Sequence, residues 1–241
     1  MATVMLSGGW LMKPVPVLMF GALAPLMAIS EQAKPGLFWE RLEYILLAFL
    51  FSFWAAHLFE LAFVLPAIGQ AIISTLVFGA VTFARPTLGR SAAAFLLLAS
   101  WLALEFLLVK TGFAQNALFL ADAFSGRANW TGWTPQAGYL AGSAWVLLAN
   151  FALYRACWGE SPVQPGWLVF FLMVVITPIG YSLFHNLEGV TREQMLLLYS
   201  GSPDIPDAEY ARGGEVVART CAWVAVLVIL FVLVKGKINR K

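Results

Sequence analysis

The sequence predicts an all-α membrane protein: a polytopic bundle of about seven transmembrane helices, N-terminus outside and C-terminus inside. Three observations carry that expectation. Hydrophobic residues make up 61% of the 241-residue chain and charged ones 12%, with a mean hydropathy of +0.79. Soluble domains carry about 25% charged residues. Apolar runs near the roughly 20 residues that a helix needs to cross a bilayer recur along the chain. The polar connections between them are short and no internal repeat is visible, so residues 1–241 read as one integral membrane domain.

The first apolar segment, 15–30, follows Lys13 and is crowded by Pro14, Pro16 and Pro25. No small-x-small cleavage site follows it, so it reads as a retained, poorly formed span rather than a signal peptide. Further segments cover roughly 43–64, 66–84, 91–109, 136–156, 166–186 and 215–235. Lys34-Pro35-Gly36, Pro66, Arg85-Pro86, Thr111-Gly112 and Pro162 with Pro165 separate them, as breakers of helical pattern do. Two longer connections remain, 110–135 and 187–214.

Orientation follows from the basic residues. With the C-terminal Lys235, Lys237, Arg240 and Lys241 inside, alternation puts Lys34, Arg41, Arg85, Arg90 and Arg155 on the same side. Nine basic and four acidic residues then lie inside, against six and nine outside. Both long connections are external. In the first, the run Ala114–Phe124 is too short to span and apolar enough to lie at the headgroup level. Trp130 and Trp133 follow it as interfacial anchors.

Candidate chemistry gathers at that outer side. Glu105 stands inside the apolar run Trp101–Phe113, with Lys110 near its exit. A carboxylate within a span costs about 2.5–3.5 kcal/mol on insertion scales, which makes it a functional-site candidate. The plainer alternative is an interfacial Glu that reaches water or pairs with Lys110. His57 and Glu60 are spaced to share one helix face, as are His185 and Glu188. The set His57, Glu60, Glu105 and His185 therefore gives an alternative reading as an intramembrane enzyme, with a metal on the two His and a carboxylate. H-x-x-E is not H-E-x-x-H, however, and there is no third His, so no metal or cofactor is expected. Cys157 and Cys221 fall near opposite membrane faces and read as unpaired apolar residues. Nothing points to nucleic acid, and there is no nucleophile elbow, Walker loop or dinucleotide fingerprint.

Glu105-Phe106-Leu107, then Thr111-Gly112-Phe113, and Tyr210–Glu215 ahead of the last apolar segment form a motif order that resembles the membrane part of apolipoprotein N-acyltransferase. That family carries Glu-Phe-Leu-Arg-Gly before Thr-Gly-Phe-Pro-Trp. Here Glu105-Phe106-Leu107 is followed by Leu108 in place of the arginine, and Thr111-Gly112-Phe113 by Ala114-Gln115 in place of Pro-Trp. Ala22–Leu26 is similar to the family's start. Ser202-Pro203-Asp204-Ile205-Pro206 is similar to the opening of its catalytic domain, and Tyr210–Glu215 to its close. The family's chemistry belongs to a nitrilase-like domain with a Glu-Lys-Cys triad between its last two spans. The stretch 188–214 is far too short for that domain and holds neither cysteine nor lysine.

The resemblance thus implies a membrane domain without its enzyme, in the cytoplasmic (inner) membrane of a bacterium. The expected function is non-catalytic: binding phospholipid or a lipidated protein in the outer leaflet, as a subunit of a membrane complex. Glu105, Lys110, Phe113, Phe119, Trp130 and Trp133 are the expected lipid-binding residues. A purely structural membrane subunit is the plainest alternative.

Overall fold

The computed structural model describes residues 1–12, 16–31, 37–158, 163–199 and 215–238. The breakers at Lys34–Gly36 and Pro162, and the motif stretches Ser202–Pro206 and Tyr210–Gly214, lie outside the described residues. Every regular element among the described residues is helical. Among the described residues, five helices are long and apolar enough to cross a membrane, over Leu61–Leu88, Arg90–Lys110, Leu140–Trp158, Pro165–Phe184 and Val216–Lys235.

In chain order the helices are α1 (Ala2–Leu11), α2 (Met19–Ala22), α3 (Ala24–Glu31), α4 (Phe38–Ala56), α5 (Val64–Leu88) and α6 (Arg90–Lys110). They continue as α7 (Thr134–Ala137), α8 (Leu140–Trp158), α9 (Pro165–Phe184), α10 (Arg192–Tyr199) and α11 (Glu215–Ile238). α4 is 19 residues long, but Glu40, Arg41 and Glu43 crowd its first turns. α4, α5 and α6 pack in succession, α1 lies on α4, α2 and α3 lie on α8, and α11 returns to α6.

The first segment departs from the expected span. α1 is an apolar helix that the sequence reading passed over, and Pro16–Glu31 is helical only in pieces. The break at Leu23 is repaired from α8. Asn150, fully enclosed, puts its amide where the Leu23-to-Met19 helical bond would be: Oδ1 accepts from Leu23 N–H at 2.7 Å and Ala24 N–H at 3.0 Å. Its Nδ2 donates to the carbonyls of Met19 and Val146, each at 2.8 Å. All four hydrogen-bonding positions of the amide are thereby used. Irregular backbone in an apolar interior is tolerated only where protein groups satisfy it in this way.

The second and third segments also shift. α4 stops at Ala56 rather than running to residue 64, and a turn with Leu58 and Phe59 at φ of 54° and 59° leads into α5. Pro66 therefore sits in the first turn of α5, where its missing N–H had no intrahelical partner to lose. The expected face sharing of His57 with Glu60 is corrected by this: His57 caps α4 and Glu60 lies beyond the turn. His185 likewise caps α9, and Glu188 follows an irregular stretch rather than the same helix.

The core is aromatic. Phe49 packs on Phe53, Phe78 and Trp101 at centroid separations of 5.6–5.7 Å. A second group joins Phe20, Phe124 and Trp145 at 4.6–5.5 Å. α11 turns Ala218, Ala225 and Val232, seven residues apart, toward the bundle. Such a narrow stripe of mostly small residues lets a peripheral helix approach closely where lipid offers no hydrophobic drive. α9 is more peripheral still, with Ser182 its one buried residue among those described.

Candidate functional site

The connection between α6 and α8 folds back into the bundle. α6 ends where Gly112 adopts a left-handed φ of 78°, a conformation that costs a residue with a Cβ but not glycine. Short 3-10 turns at Phe113–Asn116 and Leu120–Phe124 then carry the chain between α6 and α8. Phe119, Leu120 and Phe124 are enclosed.

Polar side chains hold this segment at three points. Glu105, only 2% exposed, accepts on Oε1 from Trp101 Nε1 at 3.0 Å and from the Leu120 N–H at 3.1 Å. Its Oε2 is buried without a hydrogen-bond partner among the described residues. Gln70 of α5 grips Leu118 through both amide atoms, accepting its N–H at 3.0 Å and donating to its carbonyl at 2.5 Å. Ser143 of α8 accepts the Ala121 N–H at 3.1 Å.

Asp122 makes a second centre. It accepts from the Phe119 N–H at 2.8 Å, from the Tyr139 hydroxyl, and from Arg192 Nη1 at 2.6 Å. Arg192 Nη2 donates to the carbonyls of Ala114 and, at 2.7 Å, Ala117. The guanidinium also stands over the Phe119 ring, 5.1 Å from its centroid. Burial pushes the Asp122 carboxyl up from its usual range, against the opposing pull of Arg192 and its donors. Arg192 itself is held by a capping box at the start of α10. Gln194 N–H donates to Thr191 Oγ1 at 3.3 Å, and Thr191 N–H donates to Gln194 Oε1 at 2.9 Å.

A third seam ties the segment after Phe184 to the loop. Gly189 N–H donates to the Ala128 carbonyl at 3.0 Å and Val190 N–H to Thr134 Oγ1 at 2.9 Å. The backbones are so close that a Cβ on Gly189 would overlap Thr131. Between these seams lies a cavity of about 80 Å³ whose polar lining is Ser125, Thr131, Thr134, Tyr139, Thr191 and Arg192. It has room for a few waters.

The expected site residues are divided by this arrangement. Glu105 and Phe119 are enclosed and serve the loop from inside. Trp130 and Trp133 are half-buried; the Trp130 carbonyl accepts from Ser182 Oγ at 3.3 Å, and Trp133 packs edge-on against Trp145. Phe113 and Lys110 face outward, with the Lys110 ammonium over the Phe106 ring. His57 is half-buried and stacked on Phe63 at 4.1 Å. Burial holds its imidazole below its ordinary basicity, the nearby Arg192 adds to this, and Glu60 opposes it. His185 is exposed against Tyr181 and Phe184. Among the described residues no three His, Cys, Asp or Glu side chains are placed to hold a metal ion.

Comparison with protein-family models, with curated proteins and with solved structures finds no match.

Asp122, Tyr139, Gln70 and Ser143 were missed in the sequence. Asn150 carried a usable signal, being an amide deep in an apolar run. Asp122 and Tyr139 sit in an irregular stretch where a polar residue looks ordinary.

Proposed function

We propose that this chain is a non-catalytic membrane protein whose Glu105 end docks a phospholipid, or the lipid of a lipidated protein, in the outer leaflet of a bacterial cytoplasmic membrane. In this reading it is a subunit of a larger membrane complex. α4 and the N-terminal helices complete a seven-segment topology, with the N-terminus outside.

One observation carries the reading: a hydrogen-bonded polar interior behind connections that carry exposed apolar side chains. Leu58, Phe59 and Leu61 between α4 and α5, Phe113 after α6, and Phe184 at the end of α9 are all exposed. Leu61 is 85% exposed, Phe184 82% and Phe113 69%. Alternation of the helices puts these connections on the same side as Glu105. Bulky side chains at that level are favoured where they meet acyl chains, and Trp130 sits beside them as an interfacial anchor. Polar groups beneath hold the loop, Arg192 through Asp122 and two carbonyls and Glu105 Oε1 through Trp101 and Leu120, while Glu105 Oε2 has no hydrogen-bond partner among the described residues. Support for a non-catalytic role comes from that use of them and from the stretch 188–214, which has no cysteine to form a thioester acyl-enzyme.

Native mass spectrometry after gentle extraction tests it. The expected spectrum shows retained phospholipid or a lipid-bearing protein partner, reduced by Leu61→Ser with Phe113→Ser. A bare monomer would contradict the reading.

A further inference from the structure

We propose that the other end of the bundle holds an anionic phospholipid, its phosphate among Arg85, Arg90 and Arg155 and one acyl chain in the groove beside Phe151. The inference needs the chain to lie in a membrane but does not rest on the role given to the Glu105 end, about 22 Å away along α6.

Four helix ends converge here: α3 with Glu31, α5 with Arg85, α6 with Arg90 and α8 with Arg155. They line a cavity of about 50 Å³. Glu31 Oε1, the one carboxylate among the described lining residues, pairs with Arg85 and with Arg90 Nε at 2.8 Å. Arg155 lies over the Trp167 ring at 5.3 Å, and its Nε is buried with no hydrogen-bond partner among the described residues. Among the described residues, three guanidiniums and one carboxylate line the cavity. Crowded, partly buried cations call for an anion, and a phosphate takes guanidinium donors in bidentate geometry.

Beyond the arginines the lining turns apolar. The first cavity shares Met27, Ala94, Leu97 and Phe151 with a second of about 220 Å³, which adds Phe95 and Leu147. That one shares Leu148 and Phe151 with a third of about 480 Å³ beside Trp167 and Phe170. From Arg155 to Leu147 the groove follows α8 for about 12 Å. Phe95, Leu148 and Phe170 leave its flank open. A cationic head continuous with an open apolar channel matches a lipid with a negative headgroup, rather than a soluble anion or a protein helix. Basic pockets between helices on the side rich in Lys and Arg are where anionic lipids are found.

The test uses the full chain in mild detergent, with phosphatidylglycerol, phosphatidylcholine of the same acyl chains, and inorganic phosphate as probes. Binding is read by native mass spectrometry and by the shift in thermal midpoint. Phosphatidylglycerol is expected to bind about tenfold more tightly than phosphatidylcholine, and Arg90→Gln or Arg155→Gln to remove that preference. Ala94→Phe, which fills the channel, is expected to weaken both lipids. Equal binding of the two lipids by the wild-type protein, a comparison that needs no variant to fold, would overturn the proposal. So would unchanged selectivity in arginine variants whose circular dichroism is native. Protection by inorganic phosphate equal to that by lipid and indifferent to Ala94→Phe would assign the arginines to a soluble anion instead. Leu61→Ser with Phe113→Ser is expected to leave this binding intact, which separates it from the docking end.

Discussion

The backbone N–H of Leu120 donates to Oε1 of Glu105 at 3.1 Å, so a carboxylate buried inside α6 is tied to the segment that leaves it. The costly residue of the apolar run is thus the tether of the loop. Glu105→Gln keeps the accepting oxygen and is expected to stay within about 1 kcal/mol of wild type with unchanged assembly. Glu105→Ala strands the Leu120 N–H and the Trp101 indole, at about 1–3 kcal/mol each. Unfolding in mixed micelles distinguishes them. Equal losses for Gln and Ala would show that the charge matters.

Asn150 replaces a helical bond that the break at Leu23 cannot make. Asn150→Leu keeps the volume but leaves Leu23 and Ala24 N–H without their acceptor, and about 2–5 kcal/mol is expected to be lost. Protease cleavage near Leu23 should rise in parallel. A variant as stable as wild type would mean that water or neighbouring backbone satisfies these groups.

Trp145 Nε1 donates to the Val174 carbonyl at 2.6 Å, four residues before Pro178, which has no N–H to offer it. A double-mutant cycle reads this directly. Trp145→Phe is expected to cost about 1 kcal/mol alone and less in a Pro178→Ala background, where residue 178 regains its donor. Strict additivity would refute the link.

Leu58 and Phe59 are held at left-handed φ while exposed. Because the strain is local, Leu58→Gly is expected to be about 1 kcal/mol more stable than Leu58→Ala, as read by thermal midpoint. The reverse order would place the turn in another conformation.

His57 ionises less readily in the folded chain than its ordinary value of 6.5. The unfolded chain therefore binds more protons just below that pH, and stability falls as pH drops from 6.5 toward the lower folded value. His57→Gln is expected to lessen that acid-side loss between about pH 7.5 and 5.5, measured by thermal midpoint. Parallel profiles for the two proteins would count against the burial of His57.

Much of the bundle was legible because long apolar runs report their own helices. The segments beginning near residues 91, 136, 166 and 215 match α6, α8, α9 and α11 within a few residues. The boundary between the second and third segments was less so. Pro66 looked like the break, but proline is tolerated in a first helical turn, and the chain turned nine residues earlier at His57. α1 escaped notice because ten apolar residues are too few to read as a span. Glu105 stood out by its cost, whereas its partners did not. Leu120 contributes backbone, which carries no sequence signal, and Asp122, Tyr139 and Arg192 meet across 70 residues of chain.

Photo-crosslinking in proteoliposomes tests the central claim most directly, with a phospholipid bearing a diazirine near its headgroup and peptide mapping of the adducts. Adducts on Leu58–Leu61 and Phe113, diminished by Leu61→Ser with Phe113→Ser, are the predicted result. Labelling confined to the α9 and α11 flanks, with none at these two turns, would contradict it.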